Sequence, residues 1–371
     1  MITQFTDKTV AVIGVGLMGG SLGLAAQALA GVPRVRGFGH RRATLDLALE
    51  RGAITDACDS LEEAVTGADL IFVCSPVRLV VEHVRRAYAA AVAHAVVSDV
   101  GSTKGALMEA LDETEQQRCI GGHPLCGSEA AGVINARVSM YEGATYFLTP
   151  GQHVQPEAFK ALYDFLLQIG ARPVAVDPGE HDRALAVVSH LPHVLANLLM
   201  TQAGEQTGTR DALLCAGPSF RDMTRIAGSN RRVWSDIFLE NRTALSAALR
   251  AYRAGIDSAL VAIEQGDESL IDGLIGRAAA QRERLLEMES LAAEKLFRVM
   301  VKIPDRPGVL QQITVAMGDS GINIEDLAMH HMSAELGGTL TVYVLGADVC
   351  ERAVALLSEL GYQVTASRDV E

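Results

Sequence analysis

Between Gly121 and Glu129 the chain reads Gly-Gly-His-Pro-Leu-Cys-Gly-Ser-Glu, directly after the apolar pair Cys119-Ile120. A strand that stops here presents one imidazole, His123, at its carboxyl end, which is where open α/β sheets bind their ligands. Imidazole titrates near neutrality, so it suits the taking or giving of a single proton. Upstream, Gly14-Val15-Gly16-Leu17-Met18-Gly19 follows the β-branched run Thr9–Ile13 and opens a helical stretch reaching about Ala30. That spacing fits a pyrophosphate. Gly14 allows the tight turn, Gly16 the close backbone approach and Gly19 the packing of helix on strand, while the helix N-terminus offers free N–H groups. The two stretches together suggest proton transfer beside a bound dinucleotide.

The elements that must position them follow the same alternation. Val35–Phe38 reads as a second strand, whose end normally carries an acid for the adenosine ribose. Here it reads Gly39-His40-Arg41-Arg42, with no acid. The two arginines either welcome a 2′-phosphate or are solvated loop charges, so the cofactor is NAD or NADP. Ala68–Cys74 is a buried-type parallel strand ending in Cys74-Ser75-Pro76, which is expected to border the cofactor because strand ends carry the chemistry of such sheets. Ala95–Val100 repeats the pattern and runs on through Gly101-Ser102-Thr103-Lys104. Ser102 is expected near the nicotinamide end, close to the strand of His123, and can also act as a helix cap. Strand-like runs at Ala144–Leu148 and Ala171–Val176 close a doubly wound domain over residues 1–177.

From 178 to 294 strand patterns almost vanish. Leu191, Val194, Leu195, Leu198 and Leu199 form a helical stripe. Within it, Ser189-His190-Leu191-Pro192-His193 sets two histidines three apart beside a proline that is expected to kink the helix. His193 is either a pocket residue or an ordinary core or surface histidine. In Gly217–Ala227, Arg225 or Arg221 can clamp a carboxylate bidentately, or pair with Asp222 on the surface. Trp234, the only tryptophan, belongs to core, pocket or interface. The Ala/Leu-rich helices at Thr243–Glu264 and Leu270–Leu291 suit a dimerisation domain.

Residues 295–371 change character. Phe297–Ile303 alternates like a strand, Asp305-Arg306-Pro307-Gly308 is a turn, and Val309–Met317 is helical. Strand patterns at Ile322–Met329 and Thr339–Leu345, a helix near Val349–Leu360 and a last short strand complete a ferredoxin-like βαββαβ unit. The 371 residues thus divide into three domains. Their net charge of −13, without a Lys/Arg block, argues against nucleic acid or an acidic membrane as partner. Apolar runs such as Leu70–Cys74 are too short to cross a bilayer, and Met1–Lys8 has no signal pattern. Six scattered cysteines without a C-x-x-C pair imply neither zinc nor disulfides, so the chain is expected in the cytoplasm and without a metal.

Gly14-x-Gly16-x-x-Gly19, Asp99–Lys104, Gly121-Gly122-His123-Pro124, Val187–His193 and Phe220–Arg225 together closely resemble the prephenate dehydrogenase family, in the form carrying a C-terminal ACT domain. The last module resembles ACT domains through Ile303–Leu310 and Gly321-Ile322-Asn323-Ile324. The resemblance implies oxidative decarboxylation of prephenate, with hydride passing to the nicotinamide, in tyrosine biosynthesis. It makes His123 the base for the C4 hydroxyl and Ser102 its orienting partner. His193 and Arg225 become substrate-binding, while Glu129, Asp222 and Trp234 line or gate the pocket. It also implies a homodimer inhibited by L-tyrosine, the effector bound by ACT residues such as Asp305, Arg306, Gly308, Asn323 and Ile324. Gly39 departs from the acid that NAD-using members commonly show. Arogenate is the rival substrate. A β-hydroxyacid dehydrogenase fits poorly for want of its lysine signature, and a non-catalytic amino-acid-sensing regulator is opposed by the intact Ser102, His123, His193 and Arg225.

Overall fold

The computed structural model of the protein describes residues 8–29, 34–127, 130–205, 212–293, 296–304, 306, 308–333 and 337–368. The chain divides into two compact units, Met1–Gly255 and Ile256–Glu371.

The first unit is built on eight strands: β1 (Thr9–Ile13), β2 (Arg34–Phe38), β3 (Asp56–Ala57), β4 (Leu70–Val73), β5 (Val96–Asp99), β6 (Cys119–Pro124), β7 (Thr145–Thr149) and β8 (Arg172–Ala175). Their order in the sheet is β3-β2-β1-β4-β5-β6-β7-β8. Between them lie α1 (Leu17–Ala28), α2 (Arg42–Glu50), α3 (Leu61–Val65), α4 (Val77–Ala90), α5 (Gly105–Ala110), α6 (Glu113–Gln116) and α7 (Pro156–Gln168). β4 is apolar at every position and β1 at all but Thr9, because both faces of a parallel sheet are covered. The period of two survives inside them: Val10 and Val12 join one core with Phe72 and Ile120, while Ala11 and Ile13 join the other with Ile71 and Val97.

β6 changes partner along its length. Cys119 and Ile120 pair in parallel with β5, whereas Gly121 to Pro124 pair antiparallel with β7. His123 therefore sits inside the strand, opposite Phe147, one residue before its end.

A long helical run follows: α8 (Pro178–Leu185), a π-turn over Ala186–His190, and α9 (Leu191–Glu205). The sequence suggested a kink at Pro192. What forms instead is a widened turn just before it, in which the Leu191 N–H donates to the Ala186 carbonyl. A proline ring crowds the carbonyl four residues back and offers it no N–H, and an i→i+5 turn relieves both problems. The span Pro178–Glu205 is long and apolar enough to cross a membrane by length and composition, which single apolar runs had not suggested. It carries buried His181, Asp182 and His190 on one side, while Val187, Val188 and Leu198 are exposed. After a short 3-10 turn at Ala212–Cys215 come α10 (Pro218–Thr224), α11 (Arg231–Glu240) and α12 (Arg242–Gln265), the last crossing the division between units.

The second unit contains α13 (Glu268–Ala293), β9 (Leu296–Ile303), α14 (Val309–Asp319), β10 (Asp326–Ser333), β11 (Gly337–Leu345), α15 (Ala347–Glu359) and β12 (Gln363–Arg368). Its four strands are antiparallel in the order β10-β11-β9-β12, with Val299, Val301 and Ile303 of β9 turned into a core shared with Ile313, Met317 and Leu357. β10 begins at Asp326 rather than at Ile322. Gly321 takes a φ of +64°, and the Ile322 N–H returns to the Met317 carbonyl at 2.9 Å, so Ile322 seals the end of α14 before the strand starts.

Candidate active site

The glycine-rich turn has the shape that its spacing implies. Gly14 stands at φ +101°, and a Cβ there would lie 2.6 Å from the Cys74 carbonyl oxygen, so only glycine fits. A Cβ on Gly16 would meet nothing within 4 Å, which leaves open space above the turn. Gly16 caps α1 without any side-chain acceptor, so the first amides of that helix remain available to an anion. Val15 is a core side chain, and Leu17 and Met18 pack against the same core, so these three offer a ligand their backbone. Ser75 Oγ lies 2.6 Å from His83 Nδ1, and Pro76 caps α4. His40, Arg41 and Arg42 are exposed, and Arg42 is engaged with Asp46 at 2.9 Å and Asp59 at 3.4 Å. The residues present fit a dinucleotide pyrophosphate.

His123 is 8 % exposed, and a buried ion pair holds the strand beneath it. Beyond Ile120, β6 no longer pairs with β5, and side chains replace the missing ladder. Asp99 Oδ1 accepts the Gly122 N–H at 2.9 Å, and Lys104 Nζ donates to the Gly122 carbonyl at 2.7 Å. Lys104 also pairs with Asp99 Oδ2, which accepts the Gly101 N–H at 2.7 Å. Neither charged side chain is exposed at all. Burial pulls the Lys104 ammonium below its ordinary range, and Asp99 opposes that pull. Gly122 must be glycine for close approach: a Cβ would collide with the Asp99 carbonyl and come within 2.9 Å of the Tyr146 ring.

The imidazole of His123 looks toward α8. Its Nδ1 lies 2.8 Å from His181 Nε2, and His181 Nδ1 lies 2.8 Å from Asp182 Oδ1. The two rings meet edge to face, and Phe147 covers His181 from another side. Burial, with the Lys104 ammonium nearby, drives the His123 pKa well below its usual value, so the ring is neutral. Ser102 is half-buried on the loop after β5, and no hydrogen bond joins it to His123 among the described residues. It does not cap α5 either, where Lys104 takes the cap position with no side-chain bond.

The π-turn turns His190 inward. Asn241, at the end of α11, donates to the Asp182 carbonyl at 2.8 Å and lies 3.1 Å from His190 Nδ1. Burial holds His190 down at about 4. One helical turn on, His193 stacks on Trp234 with ring centroids 3.3 Å apart, while His190 meets the edge of the same indole. Burial and the charge of Arg225 both lower His193, and its Nδ1 is buried without a hydrogen-bond partner among the described residues. Arg225 follows α10 and Asp222 is exposed on that helix. Arg78 at the start of α4 pairs with Asp236 of α11 at 2.6 Å and so ties the Trp234 helix to the nucleotide domain. Glu129 lies outside the described residues.

His123, His190, His193, Trp234 and Arg225, widely spaced in sequence, thus converge. Sequence reasoning passed over His181, Asp182 and Asn241. The only signal was an adjacent His-Asp pair after the helix start Asp177-Pro178.

Residues 23–175 match the family model "Prephenate dehydrogenase, nucleotide-binding domain" and residues 177–276 match "Prephenate dehydrogenase, dimerization domain". A curated prephenate dehydrogenase from Bacillus subtilis is 30% identical over 356 residues, covering 95% of this chain and 96% of its own. The chain belongs to the prephenate dehydrogenase family. This family member is therefore an oxidoreductase with a nucleotide-binding domain and a helical dimerisation domain. Among solved structures it resembles the Aquifex aeolicus prephenate dehydrogenase in complex with hydroxyphenyl propionate and NAD+, at a TM-score of 0.69 and 28% identity over 76% of this chain and 99% of that one. The Synechocystis arogenate dehydrogenase is similar, with a TM-score of 0.67 and 27% identity over 75% and 99% of the two chains.

Proposed function

We propose that this family member is a prephenate dehydrogenase that converts prephenate to 4-hydroxyphenylpyruvate with NAD as oxidant. One observation carries the reading. A buried, neutral imidazole at the end of β6 shares a cluster with His190 and His193, and the charge of Arg225 bears on that cluster. Bound on the Gly14–Gly19 turn, NAD supplies the acceptor for the hydride that leaves C4. The chain supplies orientation, a base and carboxylate recognition. The ring nitrogen of His123 not tied to His181 takes the C4 hydroxyl proton as the carbonyl forms. The ring carboxylate then leaves as CO2, the ring becomes aromatic, and the proton returns from His123 to the C4 oxygen to give the phenol. Arg225 and His193 meet the two substrate carboxylates, and Trp234 fixes His193 by stacking. Ser102 serves the nicotinamide end of the cofactor, while Asp222 lines or gates the pocket. With Arg42 engaged by Asp46 and Asp59, less cationic surface is left for a 2′-phosphate, which favours NAD over NADP.

Residues 1–177, 178–294 and 295–371 act in this reading as nucleotide, substrate/dimerisation and ACT regulatory domains of a homodimer. Tyrosine acts through the last domain. There Arg306 and Gly308 lie between β9 and α14, Asn323 and Ile324 lie between α14 and β10, and Asp305 falls outside the described residues. The βαββαβ order supports this part of the reading.

The test is nicotinamide reduction followed by absorbance, with prephenate and arogenate and with NAD and NADP in parallel, with and without tyrosine. Prephenate with NAD is expected to give the highest kcat/KM. Dominance of arogenate, which the Synechocystis likeness keeps in view, would replace the substrate but not the site. Activity that ignores tyrosine would remove the regulatory part.

A further inference from the structure

We propose that Asp182 and His181 form a positioning relay that fixes the tautomer of His123, leaving its Nε2 bare to accept the substrate proton. The inference deepens the dehydrogenase reading and rests on it for its kinetic arm. It begins at Asp182. The carboxylate is anchored by two backbone amides of the β5–α5 loop, Lys104 N to Oδ1 and Gly105 N to Oδ2, each at 2.8 Å. Burial pushes this carboxyl up, but hydrogen bonds from His181 and from those two amides outweigh it and hold the group below the usual carboxylate range. An ionised carboxylate can only accept, so the proton between Asp182 Oδ1 and His181 sits on His181 Nδ1.

In the proposed relay His181 carries its single N–H on Nδ1, so its Nε2 is an acceptor. The contact of 2.8 Å to His123 Nδ1 then requires the donor to be His123 Nδ1–H. The same rule strips the proton from His123 Nε2, the nitrogen left for the substrate. A free histidine side chain prefers the opposite tautomer, with the proton on Nε2. The chain of acceptors therefore works against the intrinsic preference of the base.

The relay is rigid. The His181 side chain is fully buried, crossed edge to face by the His123 ring at 5.0 Å and by Phe147 at 5.5 Å. Asn241 holds the Asp182 carbonyl from the other side. His181 and Asp182 belong to α8 while His123 belongs to β6, so the base is correct only when helix and sheet are docked. The competing arrangement has a doubly protonated His181 donating to His123 Nδ1, which would leave a proton on His123 Nε2. The two arrangements differ in which His123 nitrogen carries the proton, and that nitrogen is what the test reads.

Two measurements on the full chain test the relay. Nitrogen-15 NMR of histidine-labelled protein at neutral pH, with His123 assigned by its loss in His123→Asn, is expected to show a protonated Nδ1 and a bare Nε2. In steady-state kinetics Asp182→Asn, which forces a donor into a site built for an acceptor, is expected to lower kcat roughly 10²–10⁴-fold with KM within about threefold, as wrong-tautomer variants of catalytic triads do. His181→Gln keeps an amide oxygen that can accept from His123 Nδ1 and is expected to exceed His181→Ala in kcat by about tenfold or more, a rescue that lost packing alone does not give. A proton on His123 Nε2 in the wild-type spectrum overturns the proposal, and so does Asp182→Asn turnover within about twofold of wild type. Should the wild type oxidise neither prephenate nor arogenate, the dehydrogenase reading fails, while the tautomer is still decided by the spectrum.

Discussion

Replacing Lys104 with Met tests the fold directly beneath the base. The substitution keeps most of the side-chain length and removes the ammonium, leaving the Asp99 carboxylate buried with only the Gly101 and Gly122 amides, and the Gly122 carbonyl without its 2.7 Å donor. Breaking one side of a fully buried pair typically costs about 3–5 kcal/mol, because the surviving charge is stranded. A loss of about 4 kcal/mol, at a urea slope of about 2 kcal/mol per molar, lowers the unfolding midpoint by about 2 M. Trp234, the only tryptophan, lies in the same unit and reports the transition by fluorescence. The decisive comparison is Asp99→Asn/Lys104→Met, which is neutral and keeps an amide oxygen for Gly122 N–H. It is expected to recover at least half of the lost midpoint, a coupling of about 2 kcal/mol. Losses that simply add, or a single-variant shift below about 0.5 M, would refute the view that the pair replaces the missing β5–β6 ladder.

Other consequences are as specific. Gly16→Ala faces open space and is expected to leave stability within about 1 kcal/mol while weakening NAD binding tenfold or more in a titration, because the methyl enters the pyrophosphate path. Gly14→Ala, forced to φ +101° against the Cys74 carbonyl, should destabilise by about 2 kcal/mol or more; equal stability of the two variants would contradict the assigned turn. His190 titrates near 4 when folded against an ordinary 6.5, so between those values the unfolded chain binds a proton that the native one refuses. Stability should therefore fall as pH drops from about 6.5 to about 4, by up to roughly 3 kcal/mol, and His190→Asn should flatten that slope in urea titrations. Arg225→Ala is expected to raise KM about tenfold or more with a smaller change in kcat, and an unchanged KM would count against its carboxylate role.

Much of the nucleotide domain could be read from the chain, because its strands are unbroken β-branched runs and its first turn needs glycines that nothing else explains. β3 could not. Two residues, Asp56 and Ala57, carry no periodicity, and they pair only because β2 is already in place. The base itself was legible from Gly121-Gly122-His123-Pro124, yet its partners were not. Glu180-His181-Asp182-Arg183 reads as a solvated first turn of a helix, and nothing local says that His181 will meet a residue 58 positions earlier. Asp99 and Lys104 were visible as a motif, but their pairing around Gly122 is a property of the folded sheet where β6 leaves β5. The kink expected at Pro192 proved to be a π-turn because a proline prescribes a local problem, and tertiary packing selects which solution is used.

That π-turn amounts to one residue more than an α-helix requires over the same rise. A π-turn of five residues covers about the same rotation and rise as four residues of α-helix, so deleting Val187 or Val188, both exposed, would restore a regular helix with the residues on either side of it in place. His181 and Asp182 lie before the insertion and His193 after it, and all three would keep their places, while the widened backbone that turns His190 inward would be lost. The histidine that orients the base and the histidine offered to the substrate thus stand on opposite sides of a single-residue insertion. A one-codon loss there would spare both and displace only the histidine between them.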